Sequence, residues 1–465
     1  MDQWVWYAAL TLVAVWLSWK LRRPALSSWA PPLLGHNFPF FSDPAAFMDR
    51  FRCKFGDTFT VDIFLQTVTI FLGEANVRDV FKNDGKAIGA NWPPTFQKIL
   101  GSNAVTVVHG DTHKKLRKAM RITPQTLKAT LEVVARLVRA HVDQWLSVGV
   151  VDDMVSKAKH LSFDIAIAVF FGGQDHSSDS LVTIFDACLA GLAALVLVDH
   201  GAFTFGKAMA ARRKLVAHFD PIVDAIEAQG PEAPPSVCKD LLAIRFDDDE
   251  ALSRESIIDN LITLLFAAHD TSAHTAASAL YLVQRAPGGP EARDAVRAEL
   301  DALWPDGSAA AWTTLPPTPV LDAFTKEVLR LGSPVTCLFK KAREPLTVAG
   351  KHAVKAGQNV GISIVTNLRD PTAFPEPLRL DYTRFTGDDP VDKRHPYSYC
   401  PFGSGIRACL GQNLAVSELR LILATLVKHT DWDLVGDDCP KADLPFVGFN
   451  PKLAFKKRTS SSSSS

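Results

Sequence analysis

The sequence has no excess of charge of either sign: 50 Lys and Arg balance 50 Asp and Glu across 465 residues. That balance removes the electrostatic footprint expected of a nucleic-acid binder. Cysteine is sparse, and Cys53, Cys188, Cys238, Cys337, Cys400, Cys409 and Cys439 are scattered with no Cys-x-x-Cys among them. An odd, scattered set argues against a disulfide framework or a zinc site and fits a reducing compartment. No internal repeat is visible and no change of composition marks a domain boundary. The one low-complexity piece is Ser460–Ser465, so residues 459–465 read as a disordered tail.

One charge-free apolar run, Trp4 to Trp19, is followed by Lys20, Arg22, Arg23 and Pro24. Its 16 residues fall short of the ~20 that span a bilayer comfortably. Tilt and the tryptophans at both ends compensate. Asp2 before the run and basic residues behind it are the wrong way round for a cleaved signal peptide. Residues 1–23 therefore read as a single-pass signal anchor that leaves the body in the cytosol. A cleaved targeting peptide and a buried core helix are the alternatives.

Residues 24–458 form the body, and with 47% hydrophobic residues the chain has enough apolar side chain for a sizeable core. Asp43-Pro44 supplies a cap and a proline at the first helical position, for a helix ending near Gly56. Phe59, Val61 and Ile63, then Val68, Ile70 and Leu72, alternate as in a hairpin. Beyond them the spacing is mostly helical, as in Leu127–Leu146 and Leu161–Phe171, so the class is mainly α with a small β part (α+β).

The chain is organised around Tyr399–Gly411. A glycine-rich loop carries Cys409 and runs into Leu410, Leu414, Leu419, Ile422 and Leu426 at helical spacing. A cysteine at a helix N-terminus is expected to favour its thiolate. Gly405 and Gly411 let backbone approach a large flat ligand, Phe402 shields the sulfur, and Arg407 meets a carboxylate on that ligand. Such a cysteine suits axial ligation of haem iron, against the alternative of an inert buried thiol.

The order Phe402, Gly405, Arg407, Cys409, Gly411 resembles the haem-thiolate signature of the cytochromes P-450. Three further stretches agree with it in order and spacing. Ser253–Arg285 is a long helix, apolar through Leu261–Ala268 and then abruptly polar at His269-Asp270-Thr271-Ser272. It is similar to the family's (Ala/Gly)-Gly-x-(Asp/Glu)-Thr oxygen-activation motif, with Ala268 in place of glycine. Read alone, Thr271 satisfies its own helix and Asp270 sits in a salt bridge. Thr318-Pro319 is a capped start for a helix on which Glu327 and Arg330 lie i,i+3. They resemble the family's Glu-x-x-Arg pair, for which Arg384 is the third, structural member. His113 and Arg117 stand where the family has Trp-x-x-x-Arg on the haem propionates, and Lys340 stands where an arginine would make another such contact.

The resemblance implies a helical prism with a small β-rich lobe, and haem b (iron protoporphyrin IX) between two long helices with Cys409 as metal ligand. It implies a monooxygenase in which Asp270 and Thr271 relay protons and an NADPH-dependent flavoprotein reductase supplies electrons. The setting is the endoplasmic-reticulum membrane, with lipid contact through the anchor. Ala202–Ala208 with Ala211–Lys214 is similar to the branch holding retinoic-acid hydroxylases and plant brassinosteroid and triterpene oxidases, which implies a lipophilic sterol, terpenoid or retinoid-like substrate. The rival activities are a haem-thiolate hydroperoxide isomerase or dehydratase that needs no reductase, and a non-catalytic haem sensor.

Overall fold

Asp43 accepts a hydrogen bond from the Ala46 amide at 2.9 Å, and Pro44 opens helix α1, Pro44–Phe55, which ends at Gly56 with φ 80°. The cap, the proline and the terminal glycine act as their chemistry favours. The computed structural model describes residues 35–458 apart from 64–65, 123, 174–178, 195–196, 247–248, 305–316, 437–439 and 444–445. The expected anchor Trp4–Trp19 and tail 459–465 lie outside the described residues. Among the described residues, no helix is long and apolar enough to cross a membrane.

The chain divides into two compact units. One holds residues 35–91 and 336–367 and is built on a sheet of β1 (Thr58–Ile63), β2 (Gln66–Phe71), β3 (Ile88–Ala90), β4 (Cys337–Ala342) and β5 (Asn359–Ser363). The order is β1-β2-β5-β4-β3. The expected hairpin is present, with Val61 opposite Val68, and β2 pairs in parallel with β5. Phe47, Met48, Phe59, Val61 and Ile70 form its core.

The other unit, residues 92–335 and 368–458, is helical. In chain order it holds α2 (Pro94–Leu100), α3 (Gly110–Ala119), α4 (Pro124–Val148), α5 (Met154–Phe171) and α6 (Asp179–Leu189). These are followed by α7 (Thr204–Gln229), α8 (Arg254–Arg285), α9 (Pro319–Leu331) and α10 (Gln412–His429). Strands β6 (Thr430–Leu434) and β9 (Leu453–Lys457) pair antiparallel, as do β7 (Pro440–Asp443) and β8 (Phe446–Phe449). The 32 residues of α8 make it about 48 Å long. Ser253 caps its start, and Ala273, Ala276, Ala277 and Ala279 keep its second half narrow and buried.

The start of α9 differs from expectation. Thr318 makes no side-chain cap; the free amides of Val320 and Leu321 instead bond the two carboxylate oxygens of Glu299, each at 2.9 Å. A carboxylate satisfies two donors that one hydroxyl cannot.

Candidate functional site

The loop before α10 is shaped by its backbone. Gly403 and Gly405 have φ of 68° and 79°, a region that side-chain-bearing residues avoid. The Cys409 amide donates to the Phe402 carbonyl at 3.0 Å and closes the loop, while Phe402 packs on the main core. Gly411 is the N-cap of α10, and a Cβ added there would meet nothing within 4 Å.

Cys409 is reachable by water, with protein packed around it. Desolvation raises its thiol pKa, and the Gly411 amide and the Arg117 guanidinium oppose that only in part. The Gly411 amide at the start of α10 acts on the thiol in the direction expected of a helix terminus, and burial is the larger, opposing effect.

Cationic and imidazole side chains collect around this sulfur. Arg117 of α3 donates to the Ala408 carbonyl at 2.8 Å. Arg407 donates to the carbonyls of Thr106 (3.0 Å) and Val108 (2.8 Å) and lies 2.7 Å from His109 Nδ1. His113 is buried on α3, and its pKa falls to about 4, first because of burial and then because of Arg407, Arg117 and His109. It is therefore neutral at pH 7 and offers a hydrogen bond rather than a charge.

Each of the four polar side chains of the α8 step has a partner, which is how a buried helix tolerates them, and of their buried polar atoms His269 Nδ1 alone is left without one. His269 Nε2 meets Asp186 of α6 at 3.2 Å, with its ring edge-on to Phe163 and Phe185. Asp270 pairs with Lys159 of α5 at 2.7 Å. Thr271 Oγ1 donates to the Ala267 carbonyl at 2.6 Å, and Ser272 Oγ donates to Glu418 of α10 at 3.1 Å. Four consecutive side chains turn to four different neighbours because successive helix positions are ~100° apart.

Lys159, Asp186 and Glu418 were missed by sequence reading. Only Glu418 left a signal, as an acid four residues after Leu414 on the apolar face of α10. It is 3% exposed, and burial pushes its pKa up to about 8 against hydrogen bonds from Ser272 and Ser162. A carboxyl with a raised folded pKa stabilises the fold in acid, and that stability is lost as pH rises from 4.5 towards 8. The loss is on the order of 5 kcal/mol at about 1.4 kcal/mol per unit. Glu418→Gln should flatten this decline; urea midpoints at pH 5 and pH 8 that fall equally in variant and wild type would refute it.

The other expected residues fall in two places. Glu327 and Arg330 form a bidentate pair with both contacts at 2.7 Å, at 0% side-chain exposure, and Arg384 Nε approaches Glu327 at 3.5 Å. Lys340 lies on β4 in the sheet-bearing unit, with its ammonium 3.0 Å from Asp84 and 5.9 Å from the Phe81 ring centre.

The donor set fits haem. A reachable sulfur, open space beside Gly411, and two guanidiniums and the His109 imidazole close enough to depress the pKa of His113 suit a flat ligand that bears carboxylates.

Comparison with known proteins agrees. A family profile described as Cytochrome P450 matches residues 27–457. The putative cytochrome P450 120 of Synechocystis sp. is 29% identical over 408 residues, covering 87% of this chain and 89% of the relative. The abscisic acid 8'-hydroxylase CYP707A1 of Solanum lycopersicum is 25% identical over 427 residues, covering 89% and 86%. The solved structure described as retinoic acid bound cyanobacterial CYP120A1 superposes with a TM-score of 0.83 at 27% identity, covering 94% of this chain and all of that one.

Proposed function

This chain belongs to the cytochrome P450 family, a monooxygenase whose cofactor is haem b, and we propose that it oxidises a lipophilic isoprenoid bearing a carboxylate. Electrons would come from NADPH through a flavoprotein reductase. The observation that carries the substrate class is the chemistry named for two relatives. One is described as an abscisic acid hydroxylase and the other as bound to retinoic acid, and both compounds are isoprenoid carboxylic acids. The stretch Ala202–Ala208 leans the same way.

Haem b supplies the oxygen-activating chemistry when bound. Cys409 Sγ would hold its iron, and Arg407, Arg117 and His113 would hold its carboxylates. Lys340 is left out of that set because Asp84 holds it. Thr271 Oγ1 would pass on a proton once it leaves the Ala267 carbonyl, with the Asp270 carboxylate, steadied by Lys159, behind it. Gly403, Gly405 and Phe402 fix the loop that carries the sulfur.

Titration with isoprenoid acids should give a low-spin to high-spin shift, and a panel in which only fatty acids shift the spectrum would overturn the substrate class. Thr271→Ala should cut product formed per NADPH consumed by about tenfold or more. Unchanged coupling would remove Thr271 from the proton path, and turnover without NADPH would favour the isomerase reading.

Attachment to a membrane through Trp4–Trp19 is carried by that apolar run alone. Release of the full chain by alkaline extraction of membranes would remove it. The expected endoplasmic-reticulum placement finds no support in the comparisons, where the P450 120 relative and the superposed structure are cyanobacterial.

A further inference from the structure

The segment between α2 and α3, residues 101–109, is held from two sides, by α8 groups that the chemistry above does not use and by Arg407. On one side stands α8. Asp259, almost wholly buried, is ion-paired with Arg212 of α7 and accepts from the Asn103 amide at 3.3 Å. Arg212 Nε also donates to the Ile99 carbonyl at 2.9 Å, and Thr263 Oγ1 donates to the Leu100 carbonyl at 3.3 Å. Gly101 has φ 107°, and a Cβ there would overlap the Asp259 carboxylate. The approach of segment to helix therefore requires glycine.

Asn260, the next residue of α8, is fully buried. Its Oδ1 accepts from the Val105 amide at 2.7 Å, and its Nδ2 donates to the carbonyls of Asn103 (3.2 Å) and Ser256 (2.7 Å). On the other side stands Arg407, two residues before Cys409, bonded to the carbonyls of Val105 (3.4 Å), Thr106 and Val108. Val105 is thus shared: its N–H is held by α8 and its C=O by the cysteine loop.

We propose that Asn260, backed by the Arg212–Asp259 pair, is a positioning residue that fixes Arg407 beside Cys409 through the 101–109 segment. The reason is geometric. Arg407 takes its place from three carbonyls on a segment with no regular secondary structure, and such a segment has no ladder of its own to set those carbonyls. The α8 side chains supply that order from a buried helix, where their rotamers are locked by packing. The inference rests on the haem-thiolate reading of Cys409.

The test uses the haem-loaded full chain carrying Asn260→Leu, which keeps the volume and removes the hydrogen bonds. Amide hydrogen exchange should quicken by about tenfold, the effect of losing a buried hydrogen bond, in peptides covering 101–109 and 405–411 together. The red-shifted reduced carbon monoxide band should also convert to its non-thiolate form several-fold faster. Faster exchange confined to 101–109 with an unchanged band would overturn the proposal and leave the haem-thiolate reading intact. A wild-type protein without the band would instead sink that reading. If Asn260→Leu does not fold, Asn260→Asp keeps the acceptor for Val105 and removes the donor; it should quicken both peptides by a smaller factor, and no change at 405–411 would again refute the positioning role.

Discussion

Replacing Cys409 by serine should remove the far red-shifted Soret band of the reduced, carbon monoxide-treated protein and take product formation to the background of the assay. In the proposed function the oxygen chemistry depends on this sulfur. A thiolate donates electron density to iron in a way that a hydroxyl, which stays protonated at neutral pH, does not. The fold should tolerate the change, because the loop is closed by backbone: the Cys409 amide bonds Phe402 and the Ala408 carbonyl is held by Arg117. The side chain is reachable by water, so the slightly smaller serine leaves no sealed cavity. Circular dichroism and the urea midpoint of the haem-free variant should match wild type, separating loss of ligation from loss of structure. Pigment and turnover that both survive the exchange would end the haem-thiolate assignment.

Legibility in the sequence follows the range of each interaction. The cysteine loop could be read because its requirements are local: glycines at positive φ, a cap, and an arginine two residues from the sulfur. The Glu327–Arg330 contact was legible for the same reason, since i,i+3 positions on a helix are neighbours. The β1–β2 hairpin and the bounds of α1 followed from alternation and capping. What failed to show were partners from distant parts of the chain. Lys340 carried no sign of Asp84. Asp270 carried no sign of Lys159, and Thr318 carried none of Glu299, which takes over the cap. The desolvation of the Cys409 thiol, a tertiary quantity that works against the local helix start, left no local sign either.

Glu327→Gln should cost about 3–5 kcal/mol, the penalty for breaking a buried pair and leaving its cation uncompensated. Both Glu327 oxygens are engaged: Oε2 accepts from Arg330 Nε, and Oε1 accepts from Arg330 Nη2 and, at 2.9 Å, from the Asp381 amide. Arg384→Gln removes only the 3.5 Å approach and a bond to the Glu376 carbonyl, which should cost about 1 kcal/mol. The double variant Glu327→Leu/Arg330→Met decides what the pair does. Were it only an ion pair, an apolar replacement of similar volume would recover most of the loss. Arg330 also donates to the carbonyls of Leu368 (2.9 Å), Pro377 (2.7 Å) and Arg379 (3.2 Å), and its guanidinium lies 4.9 Å from the Phe374 ring centre. Each carbonyl left without its donor costs about 1–3 kcal/mol, so the double variant should stay as destabilised as Glu327→Gln. A urea midpoint restored to wild type would show that the carbonyl anchoring contributes nothing, and that residues 368–379 hold their course without Arg330.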